Sequence, residues 1–138
     1  MYMTELFGKK GLHISNKICI KKSPIHRWGV FSKGKINKHE ILEESPYFLI
    51  PVEEINEAKT CLQYSYSFDE NFKIIGMGYC CLYNHSNSPN VDYQIDSKNE
   101  IMRHYATRDI DEGEELTLNY GEENSKGFIW CVNSSIKT

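Results

Sequence analysis

The stretch Tyr83-Asn84-His85-Ser86-Asn87-Ser88-Pro89-Asn90 constrains this chain more than any other. Asn, His, Ser and Pro are crowded together there, a mixture that strand interiors avoid and turns favour. The preceding residues, Gly78-Tyr79-Cys80-Cys81-Leu82, are apolar or small and read as a strand buried on both faces. Such a strand would deliver an Asn-His pair to its own end, where backbone and side chain both face a ligand. A second unusual segment follows, Arg108-Asp109-Ile110-Asp111-Glu112-Gly113-Glu114-Glu115-Leu116-Thr117-Leu118-Asn119-Tyr120-Gly121. It reads as an acidic turn around Gly113 that feeds a last strand from Leu116 to Tyr120.

The rest of the chain is built from short pieces. Ile18-Cys19-Ile20 and Trp28-Gly29-Val30-Phe31 read as strands, separated by a polar turn from Ser23 to Arg27. Ile41-Leu42 and Tyr47-Phe48-Leu49-Ile50 are strand-like, with a bend or an edge expected at Ser45-Pro46. Pro51 opens a helix, with Glu53, Glu54 and Glu57 near its positive end and Ile55, Ala58 and Leu62 on one face. Tyr64-Ser65-Tyr66-Ser67-Phe68 alternates aromatic and small residues, as a strand showing its rings on one face would. Val91 to Ile95 and Ile101 to Ala106, joined through Ser97-Lys98-Asn99, form a hairpin. The tail carries an apolar patch, Phe128-Ile129-Trp130-Cys131. The expected fold is one mainly β domain with one or two short helices.

At 138 residues the chain can bury one core. Its net charge of −3 lacks the basic surplus of a nucleic-acid binder, and no basic helix stands out. Its five cysteines, Cys19, Cys61, Cys80, Cys81 and Cys131, show no C-x-x-C spacing, so neither a zinc site nor a disulfide framework is expected. They read as reduced thiols in an intracellular compartment. No signal peptide or membrane-spanning stretch is evident.

Taken together, the two motifs resemble those of the SET domain, the lysine methyltransferase fold. Asn84-His85-Ser86-x-x-Pro89-Asn90 matches the central motif of that family. Arg108-Asp109-Ile110-x-x-Gly113-Glu114-Glu115-Leu116-x-x-x-Tyr120 matches its last one, and Trp28-Gly29-Val30-Phe31 resembles its first. The resemblance implies a β-clip, knot-like architecture of several small sheets over residues 17–121. Residues 1–16 are expected to be a loose extension, and residues 122–138 a tail that closes the active site.

The resemblance also implies a function: methyl transfer from S-adenosylmethionine to a lysine, leaving S-adenosylhomocysteine. No metal or covalent intermediate is needed, so positioning and local electrostatics supply most of the catalysis. Free lysine titrates near 10.4, so the site must take the amine neutral, or desolvate it until it is. A narrow channel walled by aromatic rings does this, and the chain has nine tyrosines.

By resemblance, the backbone around Trp28-Gly29 holds the methionine end of the cofactor. Asn84 holds its ammonium, the His85 backbone reads the adenine edge, and Trp130 packs on the adenine or closes the channel. Tyr120 stands beside the transferring methyl, and Tyr64 is the second active-site tyrosine, with Tyr66 as the competitor. Tyr64, Tyr66 and Tyr83 are the expected substrate-binding residues.

Two departures from the family pattern stand out. Arg27 occupies a position where the first motif usually has glycine, and its charge is a candidate partner for the cofactor carboxylate. The cysteine-rich flanks of many histone methyltransferases are missing, which resembles stand-alone viral and bacterial members that work without zinc. The expected partner is a protein with a flexible lysine-bearing segment, such as a histone tail, met by a monomer or homodimer in cytoplasm, nucleus or an infected host cell. The alternative reading is a catalytically silent module that binds a protein tail, the cofactor, or both.

Overall fold

One long strand organises the computed structural model, which describes residues 11–121. Among those residues the strands are β1 (His13–Ile14), β2 (Ile18–Lys22), β3 (Trp28–Ser32), β4 (Ile41–Pro51), β5 (Tyr66–Ser67), β6 (Phe72–Gly76), β7 (Asn84–His85), β8 (Val91–Asp96), β9 (Ile101–Ala106) and β10 (Glu115–Leu118). Two single-turn helices, α1 (Val52–Ile55) and α2 (Lys59–Leu62), and a 3₁₀ turn (Tyr79–Leu82) complete the element list. The larger sheet runs β5-β6-β4-β9-β8, with β1 also paired to β4. The smaller runs β2-β3-β10-β7, and its β10–β7 pair is parallel.

β4 joins the larger sheet together because its two halves have different partners. Ile41 to Pro46 pair with β9, and Tyr47 to Pro51 pair with β6. Pro46 falls where the partner changes, which suits a residue that has no N–H to give to a ladder. The bend or edge expected at Ser45-Pro46 is therefore a change of partner inside one continuous strand. The expected hairpin of β8 and β9 forms, with Val91 opposite Ala106 and Asp96 opposite Ile101.

Between the sheets lies an apolar core that includes Val30, Leu42, Ile74, Met102, Ile110 and Leu116, all fully buried. Such packing removes apolar surface from water at roughly 25 cal/mol per Å², the main favourable term in a domain of this kind.

Three expectations are corrected. The helix from Pro51 is two separate turns, because Ala58 leaves helical geometry at φ −100°, ψ 74°. Neither turn has a side-chain cap, and helices this short hold only through tertiary packing, here Ile55 buried beneath α1. The Tyr64–Phe68 segment is a strand only at Tyr66–Ser67. The Gly78–Leu82 segment is not a strand. Its Cys80 and the following Tyr83 are both buried, and a 3₁₀ turn brings residues three apart onto one side whereas a strand would oppose them. At the other end of the chain, within the expected loose extension, His13 and Ile14 pair with Glu44 and Glu43.

Candidate active site

The parallel pair β7–β10 brings the two sequence motifs side by side, Asn84 opposite Thr117 and His85 opposite Leu118. Asn90 ties them further. Its amide donates to the Glu115 carbonyl at 3.0 Å, and its side-chain oxygen accepts from the Thr117 N–H at 2.8 Å. The His85 ring then fixes the chain beyond β10, because its Nδ1 accepts from the Tyr120 N–H at 3.0 Å. That leaves Nε2 as the protonated nitrogen, 3.1 Å from the Asn87 side-chain oxygen. Tyr120 in turn donates its hydroxyl to the Tyr83 carbonyl. Burial, reinforced by Tyr64, Cys81 and Glu115, pushes the Tyr120 phenol up to about 12. It stays a neutral hydroxyl through the physiological range.

A cleft of about 810 Å³ opens at this junction. Arg27, Trp28, Tyr64, Asn84, His85 and Tyr120 line it, together with the apolar side chains of Ile25, Leu62 and Leu82. A second, much smaller cavity of about 10 Å³ lies among Tyr64, Tyr66, Cys80, Cys81, Tyr83 and Tyr120. Gln63, Tyr64, Cys81 and Tyr120 border both. A roomy cleft and an aromatic constriction thus share a wall.

The turn from Ser23 to Arg27 forms the rim of the cleft. The Ser23 Oγ accepts from the Ile25 and His26 N–H groups at 2.9 and 3.4 Å, and the Ser23 N–H donates to the Arg27 carbonyl at 2.8 Å. Closing this turn puts Arg27 at φ +45°, the left-handed region that glycine tolerates and most residues avoid. The backbone at this non-glycine position therefore keeps the conformation for which glycine is suited. Gly29, two residues on, is fixed by contact: a Cβ there would sit 2.2 Å from a Glu115 carboxylate oxygen and 3.1 Å from the Asn84 amide nitrogen.

Beneath the constriction is a buried polar network built on Glu43. Its Oε1 accepts from the Tyr83 hydroxyl at 2.7 Å, and its Oε2 accepts from the Tyr79 N–H at 3.0 Å, from the Cys80 thiol at 3.6 Å and from the Ser45 hydroxyl. His104, opposite Glu43 on β9, stacks on the Tyr83 ring at 4.7 Å. The Tyr66 hydroxyl donates to the Cys80 carbonyl at 2.5 Å, so at 3.1 Å it accepts from His104 Nε2–H. Burial pulls the His104 imidazole down to about 4. Glu43, Cys80 and His104 bring donor atoms within 4.8 Å of one another; the Glu43 and Cys80 atoms and His104 Nε2 serve the hydrogen bonds just described, while the buried His104 Nδ1 makes none among the described residues.

Most of the residues singled out by motif converge on the cleft: Arg27, Trp28, Tyr64, Asn84, His85 and Tyr120. Gly29 stands behind them, in β3, packed on Glu115. Tyr66 and Tyr83 are placed differently from expectation. Both hydroxyls point into the Glu43–His104 network, so each offers the constriction a ring and no free hydroxyl. Trp130 lies outside the described residues. Sequence reasoning missed Glu43, His104, Ser23 and Glu115. Adjacent acids inside an otherwise apolar strand, Leu42-Glu43-Glu44-Ser45, were the available signal for the first.

Comparison with known proteins places this geometry. A profile of the SET domain matches residues 27–121. A Schizosaccharomyces pombe histone-lysine N-methyltransferase, specific for H3 lysine-37, is 31% identical over 97 residues, spanning 68% of this chain and 66% of that protein. A crystal structure of a candidate histone methyltransferase from Plasmodium falciparum superposes with a TM-score of 0.68 at 37% identity, covering 79% of this chain and 96% of that one. A humanized Chaetomium thermophilum Polycomb Repressive Complex 2, bound to the inhibitor GSK126, shares the fold at TM-score 0.64 and 21% identity, over 84% of this chain and 16% of that one. The chain belongs to the SET domain family.

Proposed function

We infer that this protein is an S-adenosylmethionine-dependent protein-lysine methyltransferase. The observation that carries the reading is the pair of unequal cavities meeting at Tyr64, Cys81 and Tyr120. Group transfer between a large cofactor and a slender side chain needs space on one side, an aromatic recess on the other, and a shared point of contact; at about 10 Å³ this recess has to widen to admit a lysine.

The cleft's chemistry fits the cofactor. Asn84 spends its amide hydrogens on protein acceptors, which leaves its side-chain carbonyl to accept from an ammonium. The Arg27 guanidinium at the rim suits a carboxylate, and Ile25, Leu62 and Leu82 suit an apolar ligand surface. When bound, S-adenosylmethionine supplies a methyl group on a positively charged sulfur, which a neutral amine takes in line. The chain's own residues prepare the amine. Tyr64, Tyr66 and Tyr83 wall the constriction with rings, and loss of water there lowers the pKa of an entering lysine. Tyr120, held neutral by burial, orients the amine without competing for its proton.

A histone tail is the proposed substrate class, supported by the names of the fission yeast and Plasmodium relatives. An intracellular setting is proposed from the Cys80 and Cys81 thiols, which donate to Glu43 and to the Tyr64 carbonyl and so act in reduced form. The test is calorimetric titration with S-adenosylmethionine, followed by methyl-labelled cofactor and mixed core histones. Binding with label in histone is expected. Binding without label in any protein substrate would favour a silent module, and no binding would overturn the reading.

A further inference from the structure

Glu115 lies behind the cleft and outside its lining, yet it contacts two parts that shape it. Its carboxylate accepts from the Asn84 side-chain nitrogen at 2.8 Å, and both of its oxygens are 2.9 Å from the Ser23 hydroxyl. The same Asn84 nitrogen also faces the Trp28 carbonyl at 3.0 Å, the Ser23 Oγ at 3.1 Å and the His26 carbonyl at 3.2 Å. Every partner at that end of the amide is an oxygen that can accept. An Asn turned the other way round would set its carbonyl oxygen against a carboxylate and two backbone carbonyls, with repulsion at each. Ser23, meanwhile, gives its proton to Glu115 and so presents lone pairs to the Ile25 and His26 N–H groups. One carboxylate thereby joins the His26 and Trp28 carbonyls in fixing the orientation of Asn84, and couples it to the turn that carries Arg27.

We propose that Glu115 is a positioning residue for cofactor recognition: it locks the Asn84 amide so that its carbonyl faces the cleft as the acceptor for the cofactor ammonium. The proposal rests on the cofactor reading above. It assigns Glu115 no contact with the ligand. Its effect on the amino group passes through Asn84, while its hold on the Ser23–Arg27 turn bears on the carboxylate, which both test ligands carry. Gly29 belongs to the same arrangement, since only a residue without Cβ leaves room for the carboxylate to reach Asn84.

The test measures binding, with two ligands and a small set of variants. The ligands are S-adenosylhomocysteine and its analogue with hydrogen in place of the amino group, titrated by calorimetry. Glu115→Ala is expected to weaken S-adenosylhomocysteine about tenfold and the deaminated analogue less than about twofold. Glu115→Gln, which keeps a carbonyl acceptor for Asn84 but no longer accepts from Ser23 with both atoms, is expected to recover part of the amino-selective loss. In an Asn84→Ala background, Glu115→Ala is expected to add nothing further. Equal losses for the two ligands, or additive losses in the double variant, would overturn the positioning role while leaving the cofactor reading intact. Failure of the wild-type protein to bind either ligand would overturn both. Should Glu115→Ala not fold, Ser23→Ala takes its place: it frees the carboxylate from the turn but leaves it on Asn84, so an amino-selective loss smaller than about threefold is expected. An amino-selective loss larger than that would count against the proposal.

Discussion

Replacing Arg27 with glycine is expected to stabilise the protein. The residue sits at φ +45° because the Ser23–Arg27 turn closes there, and its exposed side chain is on the rim of the cleft. A left-handed conformation costs an ordinary residue about 1–2 kcal/mol. Glycine removes that cost but loses about 0.5–1 kcal/mol more chain entropy on folding. The difference is a gain of about 0.5–1 kcal/mol, or roughly 2–4 °C in melting temperature for a domain of this size. The Ser23 N–H to Arg27 carbonyl bond is a backbone bond and survives the change. Urea denaturation reads the gain as a higher midpoint at unchanged slope. Arg27→Ala is the control, since it removes the guanidinium and keeps the strain, and no gain is expected. If Arg27→Gly lowers the midpoint, or if alanine gains as much as glycine, backbone strain is not what distinguishes this position.

Three further outcomes are expected. Between pH about 6.5 and about 4 the unfolded chain protonates His104 while the folded one does not, so stability is full above the ordinary histidine pKa and falls on acidification by about 3 kcal/mol; His104→Gln flattens that part of a denaturation series taken across pH. Tyr120→Phe lowers the methyl-transfer rate at least about tenfold with cofactor affinity nearly unchanged, as loss of an orienting group near the transition state requires, and single-turnover kinetics beside calorimetry separates the two. EDTA leaves melting temperature and transfer rate unchanged, because Glu43, Cys80 and His104 act as a hydrogen-bond network; a drop reversed by zinc would make them ligands.

The parts of the site that could be read from sequence are those whose contacts are local or carried by a compact motif. Asn84, His85 and Tyr120 fall in dense, unusual strings, and the parallel β7–β10 pair brings them together. The parts that could not be read depend on partners distant along the chain. The rings of Tyr66 and Tyr83 line the constriction, but nothing in sequence announces that the Tyr83 hydroxyl goes to Glu43 of β4, or that the Tyr66 hydroxyl goes to the Cys80 carbonyl and accepts from His104 of β9. Gly78–Leu82 read as a strand because an apolar run does not distinguish alternation from a 3₁₀ turn; Glu43, which accepts from the Tyr79 N–H, decides it. Arg27 shows a third kind of difficulty. A residue type that disfavours a conformation still adopts it when the surrounding turn demands it.

The most direct measurement of the central claim is tandem mass spectrometry of mixed core histones after incubation with the protein and S-adenosylmethionine, with Tyr120→Phe run in parallel. Methyl groups are expected on lysine side chains within flexible histone segments, at wild-type levels well above those of the variant. Methylation at residues other than lysine, or lysine methylation undiminished in Tyr120→Phe, would contradict that claim.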